Sequence, residues 1–393
     1  MRTGLECCLE DPPEILRGAR FGLLMNQASV DSRFRYACDA LAERFPGQLR
    51  AIFSPQHGLW GEQQANMIES RHGWYGALGI PVFSLYSNSR RPTREMLDGL
   101  ECLVIDLQDV GTRVYTFTWT MLECLKACAE FGISVVVLDR PNPIGGNVIE
   151  GPTLLPEFRS FVGGAALPLR HGLTLGELAM LLNAEERIGA RLQVVTMDGW
   201  RREMLFHDTG LPWIPPSPNM PRLETALLYP GQVLLEGTNV SEGRGTTLPF
   251  EVVGAPFVDP DVLAREIASQ EHAGLSVRPV RFVPMYEKWR GMSCGGIALH
   301  IVDSTKVKPV RFTIELLAAV SRLYTTRFDW LGPPYEYEYE KPPIDILFGS
   351  AELRLTLQDP LHRQQNLAEL AAVDEQAWWQ RVANFLLYSS VPV

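Results

Sequence analysis

Leu49-Arg50-Ala51-Ile52-Phe53-Ser54 is a strand-forming run that Pro55 breaks, so Gln56-His57-Gly58-Leu59-Trp60-Gly61-Glu62 falls on a loop at the strand's carboxyl end. The same arrangement recurs on either side. Residues 21–25 precede Asn26-Gln27-Ala28-Ser29, and 82–85 precede Tyr86-Ser87-Asn88. Residues 102–105 lead to Asp106-Leu107-Gln108-Asp109, and 135–138 to Asp139-Arg140-Pro141-Asn142-Pro143. Apolar residues at helical spacing occupy 34–45, 92–99 and 118–131 between these runs. Strands buried on both faces read as continuous Val, Ile and Leu runs, as these do. The alternation predicts an α/β fold with a doubly wound, mostly parallel sheet.

In such a sheet the ligand crevice lies outside the carboxyl ends of the strands, where these loops converge with their carboxylates, amides, Arg and Tyr side chains. The first strand is not followed by Gly-x-Gly-x-x-Gly, and the chain lacks Gly-Lys-Ser and Gly-Lys-Thr. The backbone cradles of dinucleotide and P-loop sites are therefore missing, and no cofactor is expected.

Further on, residues 174–183 form an amphipathic pattern in which Thr174 and Glu177 make a capping box, so Glu177 reads as a cap rather than a catalyst. A strand follows at 193–197. Residues 214–231 contain Pro215, Pro216, Pro218, Pro221 and Pro230, a density that suits a stiff connector rather than a helix. The domain boundary is placed near Leu227, giving domains 1–227 and 228–393. The second is expected to be a smaller α+β unit with helices at 261–272, 310–323 and 373–387 and a strand at 296–302. A loop at 333–345 carries Glu336, Glu338 and Glu340 among prolines and tyrosines.

Composition narrows the function classes. The 393 residues exceed the size at which a single core keeps growing. A net charge of −10 with no dense Lys or Arg run argues against nucleic acid or an anionic membrane as partner. No apolar stretch is long enough to span a bilayer, and residues 1–20 lack the apolar core of a secretory signal. Seven cysteines without disulfide spacing read as buried free thiols. Cys124 and Cys128 share a helical face without a further His or Cys at zinc spacing, so no metal site is expected there. A cytoplasmic protein is the expectation.

Five segments together resemble the NamZ type of exo-β-N-acetylmuramidase. They are Ser54-Pro55-Gln56-His57-Gly58, the run from Leu103 to Thr116, Leu138-Asp139-Arg140-Pro141-Asn142-Pro143, Ser217-Pro218-Asn219-Met220-Pro221, and the run from Glu236 to Thr246. Their order along the chain makes the signal specific to the family. The resemblance implies a Rossmann-like first domain, a smaller second domain, a cleft between them, and release of terminal N-acetylmuramic acid from the non-reducing end of peptidoglycan fragments, with a small saccharide or muropeptide as partner. The family pattern commonly has Glu before the His-Gly pair, where this chain has Gln56.

Glycoside hydrolysis generally needs one carboxyl to protonate the leaving oxygen and another to attack or activate water, although an N-acetyl sugar can supply its own acetamido oxygen. Gln56 would then position the substrate, and Glu62, Glu69, Asp106 and Asp109 are the candidate carboxyls, with His57 orienting a carboxylate or touching the sugar. Arg113, Arg140 and Arg244 are candidates to grip the lactyl carboxylate with paired hydrogen bonds. Asn26, Asn142, His171, Asn219, Asn239 and Glu242 are further candidate sugar contacts, while Trp60 and Tyr115 would stack on a sugar face. Trp119, in a helical setting, reads as core.

Structural roles remain open for several of these: Asp106 binding backbone amides, Asp109 pairing with Arg113, Asp139 with Arg140, Asn142 closing an Asx turn, His171 leading into the next helix, Glu62 a solvated charge. Two rival functions stand beside the leading one. One is a sugar-binding protein without turnover, and the other a metal-assisted hydrolase with His57, Asp106 and Asp109 as ligands.

Overall fold

The computed structural model describes residues 1–65, 67–359 and 367–389. Seven strands, β1 (Phe21–Met25), β2 (Leu49–Ser54), β3 (Gly73–Tyr75), β4 (Ile80–Ser84), β5 (Cys102–Asp106), β6 (Ser134–Leu138) and β7 (Leu192–Val195), form one sheet in the order β3-β4-β2-β1-β5-β6-β7. All neighbours are parallel except the edge pair β3 and β4. Alternate residues along β1 and β5 face opposite sides. Leu23 and Val104 join a core with Leu5 and Leu41, whereas Leu24, Leu103 and Ile105 join a larger one with Met121, Leu125 and Leu178. Helices thus cover both faces, as the apolar runs predict.

Two local expectations fail. The edge strand β3 was not foreseen, because Gly73-Trp74-Tyr75 is short and largely exposed and so carries no burial pattern to read. Residues 92–99, expected to be helical, form turns. Their apolar side chains are confined to Met96 and Leu97, too narrow a face to stabilise so short a helix by packing.

The second unit carries an antiparallel sheet ordered β8-β10-β9, with β8 Val252–Ala255, β9 Leu275–Phe282 and β10 Cys294–Ile301. Helices Pro260–Ala268 and Pro309–Leu323 accompany it. The larger core runs on without a break into this unit, taking in Ile297, Leu317, Val320 and Phe348. The proline-rich connector is also corrected, since Leu223–Gln232 within it is an α-helix that contains Pro230. Eight of its ten residues are buried, so tertiary packing overrides the local breaker. Gly231 permits that packing: a Cβ there would lie 1.9 Å from the Pro309 carbonyl oxygen.

Order β2-β1-β5 places the topological switch point between β1 and β5. Asn26, Asp106, Gln108 and Arg140 gather there and satisfy one another. Arg140 Nε and Nη2 donate to Asp106 Oδ1 and Oδ2 at 2.5 and 2.8 Å, and Asn26 Oδ1 accepts from the Gln108 N–H at 3.3 Å. A small pocket of about 20 Å³ remains there, lined by Gln108 and Arg140 with Ala28, Asp31, Phe206 and Ile214.

Candidate active site

A second convergence lies at the carboxyl ends of β2 and β5, where the second unit leans over the sheet. A narrow cavity of about 30 Å³ is lined by Gln56, His57, Tyr115, Thr116, Ser217 and Asn219 from the first part of the chain. Tyr229, Glu236, Arg244, Phe250, Tyr335 and Glu336 line it from the second.

β2 ends at Ser54, and the chain turns at once into its loop, with His57 at φ 76° and Gly58 at φ 82°. The His57 side chain is thereby carried inward. Its Nδ1 lies 2.7 Å from the Gln63 carbonyl oxygen, and burial, aided by the Arg244 charge, lowers its pKa to about 4. His57 is therefore neutral at pH 7. It suits hydrogen bonding to a ligand better than carrying charge.

Two carboxyls face the cavity in contrasting surroundings. Glu236 is ion-paired, accepting from Arg244 Nη2 at 2.7 Å and from the Tyr335 hydroxyl at 2.5 Å. Arg244 in turn lies 3.5 Å from Glu242 and over the Phe250 ring, and Glu242 also pairs with Lys288 at 2.7 Å. Burial works against the Arg244 charge, but Glu236 and Glu242 more than offset it and raise its pKa. Among the described residues, Glu336 has no cation paired with its carboxyl oxygens. It accepts from Gln56 Nε2 at 3.1 Å and from the Tyr86 hydroxyl at 2.8 Å. Burial pushes its carboxyl up to about 7; the Tyr86 and Gln56 bonds pull it down, and Glu236 adds repulsion. Two carboxyls at one site, one ion-paired and one held by neutral hydrogen-bond donors, are the arrangement that acid and base roles require.

The remaining candidates from sequence are placed as follows. Tyr115 and Asn219 line the cavity; Asn219 Nδ2 donates to the Gln64 carbonyl, and its Oδ1 accepts from the Tyr286 hydroxyl. Glu242 stands behind Arg244. Glu62 is exposed, and Glu69 is exposed and reached by the Tyr337 hydroxyl at 3.4 Å. Trp60, 48% exposed, packs edge-on against Tyr36 instead of entering the cavity.

Asp106 and Arg140 are taken up by each other, so the expected pairing of Arg140 with Asp139 is corrected. Asp139 instead accepts from the Gly176 N–H, the Thr174 hydroxyl and the Tyr388 hydroxyl, at the start of helix Leu175–Glu185. The pairing of Asp109 with Arg113 is corrected too. Asp109 accepts from the Gly111 N–H at 2.7 Å and the Thr118 hydroxyl at 3.4 Å, while Arg113 donates to the carbonyls of Pro152, Leu167, Leu347 and Phe348.

Asn26 bonds the Gln108 and Pro216 carbonyls. Asn142 forms the expected Asx turn, accepting from Ile144 N–H and donating to the Leu173 carbonyl. His171 Nδ1 accepts from Leu173 N–H, and Asn239 ties the Arg327 carbonyl to the Asp329 N–H. Trp119 is core, donating to the Arg113 carbonyl. Glu177 is the capping residue expected, in a complete box with Thr174. Among the described residues, no three His, Cys, Asp or Glu side chains converge as a metal cage, and His57, Asp106 and Asp109 are engaged separately.

Asp109 yields a test of its own. Burial pushes its carboxyl up to about 7 from the ordinary 3.8, the Gly111 N–H pulling the other way. A carboxyl raised in the folded state stabilises the fold below its unfolded pKa, and that contribution is lost as pH rises through about 7. Asp109→Asn keeps the acceptor for Gly111 and removes this titration. Chemical denaturation should then show a loss of stability between pH 4 and 8 that is smaller than wild type by on the order of 2–4 kcal/mol. An unchanged pH dependence would contradict the assignment.

The sequence did not single out Glu236, Glu336, Tyr335, Tyr229, Tyr86, Thr116 or Ser217 as functional. Glu236 and Ser217 stand inside the segments that carry the resemblance, and Glu236 meets Arg244, eight residues on in the same segment. Glu336 stands in Tyr335-Glu336-Tyr337-Glu338-Tyr339-Glu340, where three glutamates alternate identically.

Comparison with known proteins shows the family and the fold. Residues 21–224 match the family described as exo-beta-N-acetylmuramidase NamZ, N-terminal, and residues 227–388 the corresponding C-terminal family. The peptidoglycan beta-N-acetylmuramidase NamZ of Bacillus subtilis (strain 168) is 44% identical over 334 residues, covering 84% of this chain and 80% of that protein. Two crystal structures of DUF1343 family proteins from Bacteroides fragilis NCTC 9343 share the fold. One, at 33% identity, superposes with a TM-score of 0.87 over 98% of both chains; the other, at 27%, with 0.75 over 99% of both.

Proposed function

The chain belongs to the NamZ family of exo-β-N-acetylmuramidases, and from that premise we propose that it releases terminal N-acetylmuramic acid from the non-reducing end of peptidoglycan-derived saccharides. The observation that carries this is the pair of unlike carboxyls, Glu236 in an ion pair and Glu336 raised to about 7, facing one cavity. Arg244 is the cation lining that cavity and the group to receive the lactyl carboxylate, with Glu242 and Lys288 fixing it from behind. Asn219, Ser217 and neutral His57 offer hydrogen bonds to hydroxyls and the acetamido group, and Tyr115 an aromatic face.

A cavity of about 30 Å³ has room for a water molecule or two rather than a hexosamine. Among the described residues no helix is long and apolar enough to cross a membrane. All seven cysteines are free, which supports a reducing, cytoplasmic setting.

The test is turnover of a disaccharide of N-acetylmuramic acid β-1,4-linked to N-acetylglucosamine, with the products identified by mass. Free N-acetylmuramic acid is expected. Calorimetric binding of the disaccharide without turnover would favour the non-catalytic sugar-binding alternative.

A further inference from the structure

We infer that Glu336, brought in by the second domain, is the proton donor to the departing glycosidic oxygen, and that Gln56 is the positioning residue that holds it. This deepens the muramidase assignment and rests on it.

The Gln56 amide bridges Thr116 and Glu336. Its Oε1 accepts from the Thr116 hydroxyl at 2.7 Å, so its NH₂ end faces Glu336 Oε1 at 3.1 Å. Tyr86 holds the other carboxyl oxygen. The backbone carrying Glu336 is equally constrained. Glu336 and Tyr337 adopt φ 44° and 67°, a turn that Tyr335 and Glu338 close by exchanging backbone hydrogen bonds at 2.9 Å. Such positive φ values in residues other than glycine persist where surrounding contacts over-determine them. Here Tyr337 lies under the Arg90 guanidinium and beside the Tyr86 ring, and the Glu336 N–H points at Met67 Sδ. The turn thus delivers one carboxyl into a buried site, while Glu338 pairs with Lys341 and Glu340 stays exposed.

Burial, repulsion from Glu236, attraction to Arg244, and the Tyr86 and Gln56 hydrogen bonds all act on this carboxyl, with Tyr229, Tyr335 and Tyr337 as the other titratable groups around it. Their balance keeps a large fraction protonated near neutrality. A carboxyl at position 56 would compete with Glu336 for one proton, whereas the Gln56 amide carries no titratable proton and donates a hydrogen bond to Glu336.

In the reaction the Glu336 proton passes to the glycosidic oxygen as the bond from that oxygen to the anomeric carbon breaks, and the bond's electron pair stays with the oxygen. The leaving sugar departs as a neutral alcohol. Water completes the exchange at the anomeric carbon, and the proton it releases restores the carboxyl.

The experiment compares wild type, Glu336→Gln and Gln56→Glu on two substrates: the muramyl disaccharide, whose leaving group needs protonation, and a dinitrophenyl β-N-acetylmuramide, whose leaving group does not. Circular dichroism and thermal melting report folding. Glu336→Gln is expected to lose roughly 10²–10⁴-fold in kcat on the disaccharide and less than about 10-fold on the aryl substrate. It should also lose the basic limb of the pH profile. Gln56→Glu is expected to move that limb to higher pH, because two adjacent carboxyls share one proton. A folded Glu336→Gln variant with equal losses on both substrates and an unchanged basic limb would overturn the inference while leaving the muramidase assignment standing. Wild-type inactivity on both substrates would overturn the two together.

Discussion

Glu236→Gln should lower kcat on the muramyl disaccharide by roughly 10²–10⁴-fold and, unlike loss of a proton donor, should lower it comparably on a muramide with an activated leaving group. The reason lies in its partners. Both carboxyl oxygens are engaged, one by Arg244 and one by the Tyr335 hydroxyl, an arrangement that presents a negative group of fixed orientation to the cavity. Positive charge develops at the anomeric carbon whichever group on the leaving side is displaced, so a carboxylate acting there matters for both substrates. The amide removes that charge and turns a donor toward Arg244 or Tyr335, so some loss of stability should accompany the loss of rate. Steady-state kinetics on the two substrates checks this. A defect confined to the poor leaving group would show that Glu236 serves proton donation instead.

Arg113→Met should lower the thermal midpoint by roughly 3–4 °C, corresponding to about 3 kcal/mol in a chain of this size. Arg113 is buried, and among the described residues no carboxylate pairs with its guanidinium; burial lowers its pKa to about 9, a cost on the order of 5 kcal/mol. Its four hydrogen bonds to carbonyls, each from a charged donor and worth roughly 1.5–3 kcal/mol, outweigh that cost. Removing the side chain would also leave those carbonyls short of donors. Two of them, on Leu347 and Phe348, end helix Pro343–Phe348, which follows directly on the turn that presents Glu336. Arg113 therefore fastens the second domain's catalytic segment to the first, and the variant should lose activity as well as stability. An unchanged midpoint would show that the buried charge and its bonds cancel.

Much of the scaffold was legible because burial leaves a periodic mark. The runs that became β1, β2, β5 and β6 are buried along nearly their whole length, and continuous apolar character records that directly. Capping and turn chemistry was readable for the same reason: Thr174 with Glu177, and Asn142 between prolines, act on neighbours in sequence.

The site was only half legible, since its partners are distant along the chain. Glu62 and Glu69 are close to His57 in sequence but exposed in space, whereas Glu336, 280 residues from Gln56, touches it. The three arginines proposed for a substrate carboxylate diverge for the same reason. Arg113 serves carbonyls, Arg140 serves Asp106, and Arg244 alone of the three lines the cavity. Local sequence does not encode which partner a guanidinium meets.

Chemistry is expected at the seam of the two domains rather than at the sheet's switch point. A crystal structure of the Glu336→Gln variant with the intact muramyl disaccharide tests it most directly. The glycosidic oxygen is expected within hydrogen-bond reach of the side chain at 336, with Glu236 and Arg244 lining the muramyl subsite. Sugar bound instead beside Asp106 and Arg140, away from Glu236 and position 336, would contradict it.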